Sequence, residues 1–218
     1  MNIVAYTRTL LLLILALPLW AHDGKTHEEG RQLPLADRNA PVAIDAPTLA
    51  DEQRSRNYFT DLSVTDQNGK RQRFYSDVLR GRVVLINFIY THCEEGCPVI
   101  TDQLSFVRDK LGERFGKDVF FVSISTDAER DTPAALKAFA EKFDADQPGW
   151  IFLTGAKADM DQIITRLGQY SPVPEEHSSL ILAGNVTTRH WMKLRPTSPL
   201  PALVYKLQEL VDETVALR

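Results

Sequence analysis

The stretch GRVVLINFIY at residues 81–90, followed at once by THCEEGCP at residues 91–98, decides the fold. Apolar side chains occupy almost every position from Arg82 to Tyr90, which is typical of a central strand buried on both faces of a sheet. Pro98 fits the first turn of a helix. The two cysteines therefore lie between a buried strand and a helix N-terminus, at the edge of an α/β sheet where ligands and chemistry gather.

The composition of the chain is that of a globular domain with extensions. Its 218 residues are 44% hydrophobic and 25% charged, with a net charge of -4, which is ordinary for a folded protein. The basic stripe that binding to nucleic acid requires is missing from the sequence. We therefore expect no nucleic-acid partner, and we expect a monomer.

Residues 1–21 have the pattern of a secretory signal peptide. Arg8 precedes an apolar run from Leu10 to Leu19, and Ala21 offers a cleavage site. The alternative is an uncleaved membrane anchor over residues 8–21, although the run is only about half of the roughly 20 residues that cross a bilayer. We expect an exported, periplasmic protein that is soluble after cleavage.

Residues 22–56 predict a flexible N-terminal tether. They hold several prolines, many acidic residues and few large apolar ones. Cleavage after Ala21 would make His22 the first residue, and its amino group and imidazole, with help from His27, could chelate Cu(II). The globular domain is then expected over residues 57–218.

Strands and helices alternate through this domain. Residues 58–65 and 71–75 predict an N-terminal β-hairpin across the turn at 66–69. The later elements are predicted as strands at 82–90, 119–125 and 150–153, helices at 98–115, 132–143 and 159–167, a hairpin of 178–182 with 188–194 across 183–186, and a final helix at 201–215. This order predicts a thioredoxin-like α/β fold, a central mixed sheet with helices on both faces.

Cys93 and Cys97 are the two cysteines of the chain. Export would expose them to oxidising conditions, so they can form a disulfide, but so short a loop adds only about 2 kcal/mol of stability. A helix N-terminus favours a thiolate, and two thiolates with too few partners for a closed zinc site suit Cu(I). An imidazole could complete a three-coordinate site; position makes His177 the candidate, although an exposed loop residue would fit the same position.

Seven stretches of the sequence form a recognisable set: GRVVLINF at 81–88, YTHC at 90–93, CP at 97–98, VSIS at 122–125, ERDTP at 129–133, GW at 149–150 and FLTG at 152–155. Together they resemble the Sco/SenC family of thioredoxin-like copper chaperones for cytochrome c oxidase assembly. The resemblance covers about residues 58–212. It implies that Cys93, Cys97 and His177 bind copper, as Cu(I) or Cu(II), and that the two cysteines form a redox-active pair.

The resemblance implies a periplasmic metallochaperone. It would deliver copper to a cuproenzyme, or keep the thiols of that enzyme reduced, as at the copper A site in subunit II of cytochrome c oxidase, and a thioredoxin-like periplasmic protein would reduce it. A thiol-disulfide oxidoreductase without copper delivery stays open, although CxxxC departs from the usual CxxC. A peroxiredoxin-like peroxidase, with Thr91 beside Cys93, ranks last because Cys97 is too close for a separate resolving cysteine.

Four further polar residues in or near the cysteine loop each allow a functional and a structural interpretation. His92 could tune the reactivity of the Cys93 thiolate, or it is a partly exposed loop residue. Asp127, Arg130 and Asp131 follow a predicted strand at the same edge of the sheet. We expect these three to cap the next helix and to pair charges, with a docking surface as the alternative.

Overall fold

The computed structural model describes residues 47–216, which form a seven-stranded sheet and five α-helices. The helices are α1 (Leu49–Phe59), α2 (Gly96–Leu111), α3 (Pro133–Lys142), α4 (Lys157–Arg166) and α5 (Leu200–Val215). The strands are β1 (Ser63–Asp66), β2 (Arg71–Arg73), β3 (Val83–Ile89), β4 (Val119–Ser125), β5 (Trp150–Gly155), β6 (Ile181–Asn185) and β7 (His190–Leu194). Short helical turns occupy Phe74–Leu79, Gly112–Arg114 and Pro174–Glu176.

The sheet is mixed and runs in the order β2-β1-β5-β4-β3-β6-β7. β3, β4 and β5 are parallel, whereas β6 and β7 on one side and β1 and β2 on the other pair antiparallel. The predicted fold class, a thioredoxin-like mixed sheet with helices on both faces and an N-terminal hairpin, is confirmed.

Strand β3 is buried along its whole length, as the apolar run predicts. Val83 and Leu85 point into a core that is closed by α2, α3 and α5. Val84 and Ile86 point into a second core, closed by α1, α4 and the helical turn after β2. Burial on both faces fixes the position of the strand, and with it the place where the cysteine loop begins.

The folded domain begins before residue 57, so the predicted tether over 22–56 is too long at its C-terminal end. Helix α1 starts with a capping box: the Thr48 hydroxyl accepts a hydrogen bond from the Asp51 amide at 3.2 Å, and Asp51 accepts one from the Thr48 amide at 3.0 Å. The buried ring of Phe59 anchors the other end. The signal peptide, most of the tether, His22 and His27 lie outside the described residues.

The C-terminal hairpin has a different register from the one predicted, because residues 183–185 belong to β6 and not to the turn. Gly184 faces Trp191 of β7, and a Cβ atom at position 184 would lie 2.3 Å from the indole ring. Glycine is needed there so that the ring can lie against the strand. Asn185 ends β6, and its side-chain amide donates at 2.7 Å to the carbonyl of Leu210 on α5.

Two further boundaries differ from the prediction for local reasons. Residues 74–79 form a π-helical turn that buries both Phe74 and Tyr75, whereas a strand would point adjacent side chains to opposite faces. Helix α2 ends at Leu111, short of the predicted 115, because Gly112 adopts a φ of 55° that favours glycine. Among the described residues, no helix is long and apolar enough to cross a membrane.

Candidate metal centre

The two cysteines lie in the loop from β3 to α2 and in the first turn of α2. The amide of Cys93 donates to the carbonyl of Tyr90 at 3.1 Å, and the amide of Cys97 donates to the Cys93 sulfur at 3.1 Å. The N-cap residue Glu95 makes no capping bond with its own side chain. The Cys93 sulfur therefore takes the acceptor role that a Ser, Thr or Asp oxygen usually plays at a helix start.

The environments of the two free thiols differ. Burial opposes ionisation of Cys93, but hydrogen bonds from the Cys97 side chain, the Cys97 amide and Tyr90 outweigh it and lower the Cys93 pKa. Cys97 is more deeply buried, and burial together with its hydrogen bond to Cys93 raises the Cys97 pKa to about 12. Cys93 is thus the more acidic thiol of the pair, and Cys97 holds its proton.

Tyr90 belongs to the site, although the sequence analysis assigned it no role. Desolvation and the hydrogen bond to Cys93 raise the pKa of Tyr90 to about 12, so its hydroxyl stays protonated and donates to the sulfur. Its ring stands edge-on to the His177 imidazole, with 5.8 Å between ring centroids. The available signal was its place as the last residue of the apolar run, beside the cysteine loop.

His177 follows the helical turn Pro174–Glu176 and lies in the loop before β6, which begins at Ile181 and not at the predicted residue 178. Its Nδ1 atom lies 2.6 Å from the carbonyl oxygen of Pro174, and its Nε2 atom lies 3.1 Å from that of Phe88 at the end of β3. Carbonyl oxygens only accept hydrogen bonds. The imidazole can therefore offer a nitrogen lone pair to a metal only after it leaves one of these carbonyls.

The three predicted ligands line one cavity of about 550 Å³, which Cys93, Cys97 and His177 share with Tyr90. They do not form a closed ligand triad. In residues 47–216, the ligand atoms of His, Cys, Asp and Glu that come within 4.8 Å of one another in a group of three belong to His92, Asp127 and Asp131. The sequence thus identifies which residues share the cavity, but the arrangement in this structure is open.

The carboxylate of Asp131 is committed to holding the cysteine loop. Asp131 is 1% exposed. It accepts hydrogen bonds from the Thr91 amide at 3.1 Å, the Thr91 hydroxyl at 2.6 Å and the Ser125 hydroxyl at 2.6 Å. The hydroxyl of Thr91, which the peroxidase alternative placed beside Cys93, thus donates a hydrogen bond to Asp131. The exposed His92 approaches the same Thr91 hydroxyl at 3.2 Å through Nδ1.

Arg130 connects two loops at the rim of the cavity. Its guanidinium pairs with the buried Asp127, and a second nitrogen lies 3.3 Å from Glu175, two residues before His177. The expected charge pairing of Asp127 and Arg130 is therefore present. The sequence analysis did not identify the bond to Glu175, because the two residues are 45 positions apart along the chain.

A protein-family model described as SCO1/SenC matches residues 50–190. Among curated proteins, the SCO1 protein homolog of Bacillus subtilis is 39% identical over 90 residues, which are 41% of this chain and 45% of that protein. A SCO2-like protein of Rickettsia conorii is 34% identical over 103 residues, 47% of each chain. This chain spans about half the length of the curated relatives it matches.

Solved structures match the described fold. The copper-bound structure of ScoI from Bradyrhizobium japonicum is 30% identical, with a TM-score of 0.58 over 68% of this chain and 96% of that one. BsSco, a member of the Sco family of cytochrome c oxidase assembly proteins that has a disulfide switch, is 25% identical, with a TM-score of 0.61 over 71% of this chain and 93% of that one. The range matched by the family model contains both the cysteine loop and the His177 loop.

Proposed function

This chain belongs to the SCO1/SenC family, and on that premise we propose that it is an exported metallochaperone that carries copper as its cargo on Cys93, Cys97 and His177. The observation that carries the proposal is the cavity at the end of β3, which two free thiols and one imidazole line together. The copper bound to ScoI of Bradyrhizobium japonicum supports copper as the metal.

The donor set fits copper. Two sulfur ligands favour the soft Cu(I) ion, and one imidazole nitrogen also accommodates Cu(II). Cys93 has a lowered pKa and is ready to bind, whereas Cys97 must lose its proton when a metal arrives. Binding therefore releases a proton, mainly from Cys97, and is favoured as the pH rises.

His177 makes the site reversible. One of its contacts with the carbonyl oxygens of Phe88 and Pro174 must break before a ring nitrogen is free to bind metal. The free energy needed to move the imidazole off these carbonyls is subtracted from the affinity for copper, since the apo loop holds the ring in another place. A ligand that has its own resting partner suits a protein that must also release its cargo by ligand exchange.

We propose an acceptor and a reductant as partners. The acceptor is a cuproenzyme such as cytochrome c oxidase at its copper A site; the description of BsSco as a cytochrome c oxidase assembly protein supports this assignment. In an oxidising compartment the two thiols would close to a disulfide, so a thioredoxin-like periplasmic protein must reduce them before copper binds. The signal peptide predicted at residues 1–21 would place the protein there.

A second candidate function, thiol-disulfide exchange with a protein substrate, is favoured by the difference between the two thiols. A half-exposed Cys93 of lowered pKa can attack a substrate disulfide, and the buried, protonated Cys97 can then resolve the mixed disulfide. This chemistry needs no histidine. Its dependence on His177 therefore separates it from copper carriage.

The first test is the copper stoichiometry of the reduced protein under anaerobic conditions. We expect one copper per chain, with binding lost in Cys93→Ala and weakened at least about tenfold in His177→Ala. His190→Ala is the matched control, because His190 is an exposed histidine on β7 that pairs with Glu213 and lies outside the cavity. Unaltered affinity in His177→Ala would exclude the three-ligand site.

The same variants distinguish the two functions. Copper carriage predicts that His177→Ala still forms the Cys93–Cys97 disulfide while it fails to load a copper acceptor peptide. Thiol exchange predicts that the parent reduces a protein disulfide in repeated turnovers when a small dithiol reduces the Cys93–Cys97 disulfide after each one, and that His177→Ala does so equally well. Turnover in both proteins, together with no specific copper binding by the parent, would replace the first proposal with the second.

A further inference from the structure

A second cavity, of about 410 Å³, lies away from the cysteine loop, between α1, the end of α4 and the β6–β7 hairpin. Apart from Met192, its apolar walls belong to the core that contains Phe59 and Leu167, whereas Cys97 packs in the core on the other face of the sheet. Pockets that bind small molecules in proteins measure roughly 300–1,000 Å³. The cavity is thus of ligand size, and the copper site does not use it.

The floor of the cavity is aromatic. The indole ring of Trp191 packs against Gly184, and its centroid is 5.0 Å from that of Phe59. Tyr58 stands edge-on to Phe59 with 4.8 Å between centroids, yet 54% of its surface is exposed. Aromatic rings gain most from contacts with another flat ring system, so an aromatic compound matches this floor.

The charged residues around the cavity give it a net positive charge. Arg54, Arg189 and Lys193 line the cavity, and none of its lining residues is acidic. Asp51, just outside, pairs with both Arg54 and Arg189. Lys193 makes no ion pair with any residue between 47 and 216. Three cations and one shared carboxylate give a local charge of +2 (3 − 1 = 2) on a chain whose net charge is -4.

We propose that this cavity binds a small aromatic anion, a flat apolar ring system that carries one carboxylate. The ring system would lie on the indole of Trp191, and the carboxylate would face Lys193 and the free edges of the two guanidiniums. The charge selects for an anion over a neutral compound of the same shape, and the rings select for a flat body over an alkyl chain.

The test is calorimetric titration of the reduced protein with 2-naphthoate, 2-naphthamide and decanoate. We expect 2-naphthoate to bind about tenfold more tightly than the neutral amide, since two or three exposed cations contribute to its affinity. Decanoate, which has the charge without the rings, is expected to bind more weakly than 2-naphthoate. Equal binding of acid and amide, or stronger binding of decanoate, would overturn the proposal.

The chain provides an internal reference for the location of binding. In a ¹⁵N spectrum, the indole N–H signal of Trp191 should shift with 2-naphthoate, whereas that of Trp150 should not, because it is buried and donates to Ser123. A shift of the Trp150 signal alone, or of neither signal, would place the ligand elsewhere or show that it does not bind. Either result refutes the proposal.

Two variants test the wall and the charge separately. Lys193→Gln should weaken 2-naphthoate about threefold and leave 2-naphthamide unchanged, while Lys117→Gln, at an exposed lysine outside the cavity that makes no ion pair with any described residue, should change neither affinity. Tyr58→Ala, at a largely exposed position, should weaken both compounds. Unchanged affinity in both Lys193→Gln and Tyr58→Ala would show that 2-naphthoate binds outside this cavity.

Discussion

Replacing Asp131 with alanine tests whether this carboxylate holds the cysteine loop in place. The substitution removes the acceptor of three hydrogen bonds at a position that is 1% exposed: two from Thr91 and one from Ser125. The two hydroxyls can turn to other partners, but the Thr91 amide cannot. A donor left without a partner in the interior costs about 1–3 kcal/mol, so we expect Asp131→Ala to lower the free energy of unfolding by about 3 kcal/mol.

The loss should also reach the thiols. Thr91 lies two residues before Cys93, so a looser loop weakens the hydrogen bond from the Cys97 amide to the Cys93 sulfur, one of the bonds that lower the pKa of Cys93. The pH midpoint of Cys93 alkylation should therefore move upward in Asp131→Ala. Urea denaturation and the pH dependence of the rate of reaction with iodoacetamide measure the two effects.

Thr132→Ala is the matched control, because Thr132 adjoins Asp131 and caps α3 by accepting from the Ala135 amide at 3.2 Å. Loss of such a cap costs about 1 kcal/mol, and it should leave the alkylation midpoint of Cys93 where it is. If Asp131→Ala is no more destabilising than Thr132→Ala, and the two variants share one midpoint, then Asp131 does not position the loop.

Three further predictions follow from other contacts. Glu175→Gln removes the ion pair with Arg130 that joins the turn before the candidate histidine to the β4–α3 loop; because both side chains are half-exposed, the free energy of unfolding should change by less than about 1 kcal/mol, whereas copper affinity should fall, and unchanged copper affinity would show that the pair does not order the histidine loop. Gly184→Ala drives a Cβ atom into the ring of Trp191 and should cost about 1–3 kcal/mol in urea denaturation; an unchanged midpoint would contradict the contact. Hydrogen bonds from Thr48, first among several partners, lower the pKa of Asp51 from 3.8 to about 2. The ionised carboxylate therefore stabilises the fold fully above pH 3.8, and this stabilisation is lost as the pH falls through 2. Asp51→Asn should thus reduce the acid dependence of the unfolding midpoint, and an identical acid profile would refute this.

The sequence predicted those elements whose own residues are sufficient to specify them. Every residue of β3 except Asn87 is apolar, and Thr132 followed by Pro133 is the start signal of a helix, which α3 follows. Helix α1 was missed because its residues are mostly polar. The capping pair of Thr48 and Asp51 was the signal that would have indicated it.

The register of the last hairpin could not be predicted, since the local turn signal is ambiguous. Gly184 and Asn185 have the composition of a turn, yet Trp191 on the opposite strand and Leu210 on α5 determine their places. For the site the limit is similar. The sequence places the two thiols in one short loop, but the contact of His177 with Phe88 depends on how distant segments pack.

The bond from the Cys97 amide to the Cys93 sulfur couples chemistry to the helix end. The Cys93 sulfur is both the cap of α2 and the candidate metal ligand or redox centre. A new bond from that sulfur, to a metal or to the Cys97 sulfur, therefore uses a lone pair that can otherwise accept the hydrogen bond from the Cys97 amide. The geometry of the first turn of α2 therefore depends on whether the thiols are reduced, oxidised or bound to metal. A partner protein that touches this turn could distinguish loaded, reduced and oxidised forms of the protein without contacting either sulfur atom.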